Sequence, residues 1–142
     1  MRSLLILFSL LAFPLSAVVE GTIDTAPWVS VIAKHDTRFP GDPASWRVAV
    51  LAEDINLARA MPNKPVITVS VPRTVGVHQL GKSDAASVTL LIPPGKNYSG
   101  NIGGTVEVVS ISADAVYVKI NAVFSAGKGT VTGDFTFVPK AD

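Results

Sequence analysis

The chain has 142 residues, no cysteine, and 12 basic against 11 acidic residues, for a formal charge of +1. Without cysteine there is no disulfide, thiolate zinc site, thiol catalysis or lipid-acylated thiol. Charge so balanced, with no Lys/Arg run, lacks the electrostatic footprint of a nucleic-acid binder.

The first element is an address. Arg2 is a short positive region, Leu4 to Leu15 an apolar run interrupted by Pro14, and Ser16-Ala17 a pair of small residues. This is the layout of a secretory signal peptide over 1–17, cut near Ala17 or a few residues later. The run is too short for a spanning helix, which needs about 20 apolar residues, so no membrane span is expected. The expected mature protein is soluble, periplasmic or extracellular. Its 18–142 segment suits one domain, large enough to bury a core without disulfides.

Val18 to Ile23 reads as a leading edge strand, and Pro27 to His35 as a second strand. Ser45 to Leu51, Val66 to Val71 (closed by Pro72) and Ser87 to Ile92 (closed by Pro93-Pro94-Gly95) follow. Turn-rich stretches at 38–44 and 93–104 separate them. Glu53 to Met61 lacks alternation; Asp54 as cap and Pro62 as stop predict a short helix or helical turn there.

From Gly104 to Val138 the alternation is clear. Val116, Val118, Ile120, Ala122 and Phe124 share one parity; Tyr117, Lys119 and Asn121 share the other. Val131, Gly133, Phe135 and Phe137 oppose Thr130, Thr132, Asp134 and Thr136. Period two with one apolar face means antiparallel sheet packed on one side. Ala126 to Gly129 supplies the last turn. The sum is an all-β chain: an antiparallel β-sandwich of about seven or eight strands, with Val/Ile/Phe faces dry and Thr/Lys/Asp faces wet; a closed barrel stays open.

No chemistry stands out. There is no G-x-S-x-G, and only His35 and His78 could act as bases; Asp36, Asp42 and Asp84 are the carboxylates folding would have to bring to them. Asp36 neighbours His35 in sequence but would point to the opposite face of a strand. Two histidines without cysteine make no zinc site alone, and the Asp36/Asp42 loop lacks the calcium-loop pattern. Glycine-rich stretches near Gly103 and Gly127 lead into strands, unlike phosphate loops that lead into helices. The three glutamates, at 20, 53 and 107, make no glycosidase pair. No catalytic residue, metal ligand or cofactor is assigned.

Trp28, Trp46, Phe39, Tyr98 and Tyr117 are the aromatic candidates for a binding surface. A Trp early in a sandwich strand usually packs in the core or plugs its end. Tyr117 stands out because its parity partners are polar. Asn97-Tyr98-Ser99 is a formal glycosylation acceptor in an expected loop.

The stretch from Ser87 to Val138 joins an apolar strand, a Tyr-containing Gly/Asn loop, Gly-Thr-Val-x-Val and a closing Gly-x-Phe-x-Phe at Gly133, Phe135 and Phe137. It resembles small secreted bacterial β-sandwich proteins, many of them lipoproteins. The missing acylation cysteine departs from those members, and the resemblance implies no activity or site residue. The expected role is binding a protein or glycan partner outside the cytoplasm. The alternative is a surface or envelope assembly subunit that self-associates, with Val18-Val19 as a strand donated to a neighbour. A hydrolase is the third reading.

Overall fold

The computed structural model describes residues 17–38, 41–81, 86–98 and 103–139. The signal segment up to Ser16, together with Phe39, Asp84, Ser99 and the 100–102 part of the glycine loop, lies outside them.

The chain is all-β, with two antiparallel sheets. In order the strands are β1 (Ala17–Ile23), β2 (Ala26–Val29), β3 (Ile32–His35), β4 (Ser45–Leu51), β5 (Val66–Pro72), β6 (Gly76–Gln79), β7 (Ser87–Ile92), β8 (Lys96–Tyr98), β9 (Gly103–Ile111), β10 (Val116–Phe124) and β11 (Gly129–Phe137). A six-stranded sheet runs β2-β1-β11-β10-β9-β6 and a five-stranded sheet runs β3-β4-β5-β7-β8. Among the described residues there are thus eleven strands, against the seven or eight expected. The excess comes from short strands: β6 and β8, too brief for their alternation to register, and the division of Pro27 to His35 into β2 and β3.

That division is a change of sheet. Ser30 N–H donates to the Val19 carbonyl in the six-stranded sheet, and Val31 N–H donates to the Leu51 carbonyl in the five-stranded one. The buried Ser30 hydroxyl accepts from Val19 N–H at 2.8 Å, so both sides of the crossing are satisfied.

β10 has its odd and even positions cleanly separated. Val116, Val118, Ile120, Ala122 and Phe124 are buried; Lys119, Asn121 and Val123 are exposed. Val131, Phe135 and Phe137 of β11 join them, and one contiguous core draws residues from both sheets, including Val48, Val50, Ile67, Val69 and Leu90. Phe137 sits at its centre of aromatic packing, edge-on to Trp46 at 5.6 Å and to His35 at 5.7 Å.

The five-stranded sheet departs from the expectation of one dry and one wet face. All seven residues of β5 are buried. The 52–65 connection folds back over its outer face, where Leu57 packs on Ala49, Leu51 and Val66. Glu53 pins this loop: one carboxylate oxygen accepts from both Asn63 and Lys64 N–H at 2.8 Å. The expected helix at 53–61 reduces to a single turn. Its cap is Asn56, not Asp54: the side chain accepts from Ala58 N–H, and the carbonyl accepts from Arg59 and Ala60 N–H. Among the described residues the one helical element is a 3-10 turn at Ser125–Gly127, inside the expected β10–β11 connection.

Candidate functional site

The six-stranded sheet leaves its outer face uncovered. Strand register places side chains there in rows that cross the strands. One row is Glu20, Thr132, Asn121, Thr105 and Gln79, contributed by β1, β11, β10, β9 and β6. The next is Val18, Asp134, Lys119, Glu107 and Val77. Adjacent strands lie about 4.8 Å apart, so five strands carry a row of about 19 Å. Two shallow recesses open on this face. One, of about 360 Å³, is lined by the central residues from Thr105 and Glu107 to Asp134. The other, of about 330 Å³, lies towards Glu20 and Thr130, and the two share Asn121 and Thr132.

Lys119 lies directly opposite Glu107 on one side and Asp134 on the other, opposite charges paired across the strands. With Glu20, the face carries three carboxylates to one ammonium. Gly133 lines the central recess with φ +147°, and an added Cβ would run into the Val18 carbonyl. Glycine is therefore demanded beneath the recess.

Tyr117 belongs to this face. A register shift between Tyr117 and Val118 inserts one extra residue in β9, so Tyr117 opposes Ser110 while Val118 opposes Val108. Such a bulge re-aims the side chains beside it. Burial, then the Asp134 and Glu107 carboxylates, raise the Tyr117 hydroxyl above its ordinary value of 10.0. It thus stays protonated and donates to Asp134.

The other aromatic candidates lie elsewhere. Trp28 is 4 % exposed and its indole N–H donates to the Pro65 carbonyl at 2.8 Å, tying β2 to the start of β5. Trp46, 7 % exposed, packs on Phe137 with the Arg73 guanidinium 5.0 Å from its ring. Neither indole offers a face to a ligand. Tyr98 is half-buried on the core, with Lys128 Nζ 5.2 Å from its ring and 3.3 Å from Asp24. Asp24, then Tyr98, raise the Lys128 ammonium above 10.5. These groups tie the β1–β2 and β10–β11 turns together. Asn97 and Tyr98 fall on the short edge strand β8 instead of a loop, because Leu91 and Leu90 pair with them. The four of the five aromatic candidates that are described are therefore not gathered into one platform.

A third recess, of about 170 Å³, lies on the outer side of the five-stranded sheet between Asp36, Ala49, Asn56 and Leu57. The Asp36 side chain is fully buried. Arg38 grips it at 2.6 and 2.8 Å, and Thr68 donates at 3.4 Å. Burial works to raise the carboxyl, but Arg38 and Thr68 hold it below its ordinary 3.8. The pairing locks the chain leaving β3. His35 beside it faces Phe137, and His78 lies at 3.0 Å from the Thr74 carbonyl. Nothing here positively indicates catalysis. Among the described residues no three His, Asp or Glu side chains gather as a metal site, and no helix is long and apolar enough to cross a membrane.

Val18-Val19 is built into the chain's own sheet. β1 is paired with β2 on one side and β11 on the other, and Val19 is fully buried. Searched against family models, the curated proteins and the solved structures, the chain matches none.

The residues that local sequence reading missed are Glu20, Thr105, Glu107, Thr132 and Asp134 as neighbours of Tyr117, Lys119 and Asn121. Their polar parity was visible strand by strand; the register that aligns them was not.

Proposed function

We propose that the chain is an exported, non-catalytic binding domain. In this reading its two sheets form a β-sandwich and the outer face of the six-stranded sheet receives a protein or glycan partner. The shared core supports the sandwich. The leader layout supports export, and a cut after Ala17 would leave Val18 to Ile23 of β1 in place. The observation that carries the binding surface is the pair of joined recesses on a face that no other part of the described chain covers. Here hydrogen-bonding groups are held in register on rigid strands, the scaffold a binding surface needs.

The test is co-sedimentation of the purified, processed protein with the producing cells' envelope. Wild type is expected in the pellet. A Thr105→Ala/Asn121→Ala/Thr132→Ala variant with an unchanged melting temperature is expected in the supernatant. Equal retention of both would remove this face from the account.

A second reading, self-assembly, draws on the β6 edge, where Val75 and Val77 are 63 % and 60 % exposed. Unpaired strand edges with apolar side chains invite pairing between chains. Light scattering over a hundredfold concentration range decides it: a constant monomer mass ends this reading.

A further inference from the structure

We infer that the partner of the outer face is a non-acidic, hydroxyl-rich polysaccharide strand lying across β1, β11, β10, β9 and β6. This rests on the reading of that face as the binding surface. Three features of the face select this chemistry over a protein.

The first is composition at the centre. Protein interfaces are depleted in charged residues at their core and anchored there by large apolar or aromatic side chains. Here the centre is Asn121, Lys119, Thr132 and Asp134; of the large exposed apolar residues, Val18, Val29, Val75 and Val77 stand towards the side strands and Val123 follows Asn121 at the end of β10. A polyol presents hydroxyls that both donate and accept. Asn121 and the threonines match that in both directions, Lys119 donates, and Glu107 and Asp134 accept.

The second is shape. The row from Glu20 to Gln79 crosses five strands with a polar group at every step of about 4.8 Å. The two joined recesses follow that row from Glu20 to Thr105, and a track of this form suits an extended chain of repeating units better than a compact ligand. Tyr117, half-buried, precedes Lys119 by two positions along β10, so it borders the neighbouring Asp134–Lys119–Glu107 row and adds an aromatic ring to that side of the face.

The third is charge. Glu107 and Asp134 flank the single ammonium of Lys119, and Glu20 stands in the neighbouring row without a cation opposite it. The carboxylate excess repels uronic acids, sulfated sugars and phosphate-bearing polymers.

The test uses the processed protein and the producing cells' envelope polysaccharide, freed of protein and split by anion exchange into neutral and acidic fractions. Each is immobilised, and intact envelope is run alongside. Retention on the neutral fraction is expected, with none on the acidic one. Asn121→Ala and, separately, Thr132→Val are expected to weaken neutral retention by about tenfold, the scale of one well-made hydrogen bond. Both positions are exposed, so folding is not at stake; a matched melting curve checks it. Equal or better retention on the acidic fraction overturns the inference, as does neutral retention that neither variant weakens. If intact envelope retains the protein and the neutral fraction does not, the polysaccharide assignment falls and the binding face stands. If neither retains it, both fall.

Discussion

The two outer faces of this molecule start from the same construction and end differently. Each belongs to an antiparallel sheet whose other side lines the common core. On the five-stranded sheet, Ala49, Leu51 and Val66 face outwards, and the chain covers them with its own 52–65 loop. On the six-stranded sheet the equivalent positions are Asn121, Thr132 and Lys119, and they stay open. One face is closed by the chain itself and the other stays open. That division can be broken or sharpened by mutation.

The largest effect belongs to the covered face. Leu51 is fully buried there, and Leu51→Ala is expected to lose about 2–5 kcal/mol of stability in urea unfolding. A loss under about 1 kcal/mol would mean that the 52–65 loop does not seal this face.

Arg38→Ala comes next. It leaves the buried Asp36 carboxylate without its main donor, though Arg38 itself is partly exposed, which tempers the loss. About 1.5–3 kcal/mol is expected, the range for hydrogen bonds to a charged group. The same pair has a signature in pH. Asp36 titrates lower when folded than the ordinary 3.8, so its contribution is fully present above that value and is lost as pH falls through the folded value. Wild type should lose stability on acidification below about 4 more steeply than Asp36→Asn. Parallel acid unfolding curves would show that Arg38 does not hold the carboxylate.

The smallest effect belongs to the open face. Thr132→Ala and Asn121→Ala are expected to move stability by no more than about 0.5 kcal/mol. If either destabilises like Leu51→Ala, the open face is a structural surface and the contrast fails.

The contrast was partly legible in the sequence. β4 and β5 read SWRVAVL and VITVSVP, with apolar residues at both parities, the mark of strands buried on both sides. β10 and β11 alternate strictly, the mark of one open side. What local patterns could not show is which segment covers β5. Leu57 covers the Val66 end, placed by a loop whose ends Glu53 joins across eleven positions of sequence, while Asp36 and Ser45 meet Thr68 and Ser70. Nor could they show that Pro27 to His35 changes sheets, because that depends on Val19 and Leu51 offering carbonyls on either side of Ser30 and Val31.

The candidate site follows the same rule. Tyr117, Lys119 and Asn121 stood out through their shared parity on one strand. Glu20, Thr105 and Asp134 join them only through register across β1, β9 and β11, a long-range property. The two tryptophans are the simpler case: large and early in their strands, they are expected in the core more than on a binding surface, and both lie in the interior.

The central claim is that the open face is where the partner sits. The most direct measurement is a map of backbone amide NMR shifts as solubilised envelope material is added to the labelled protein. The account predicts changes concentrated on β9, β10 and β11 around Thr105, Asn121 and Thr132, with the 52–65 loop and Asp36 unmoved. Changes centred instead on Leu57 and Asp36 would contradict it.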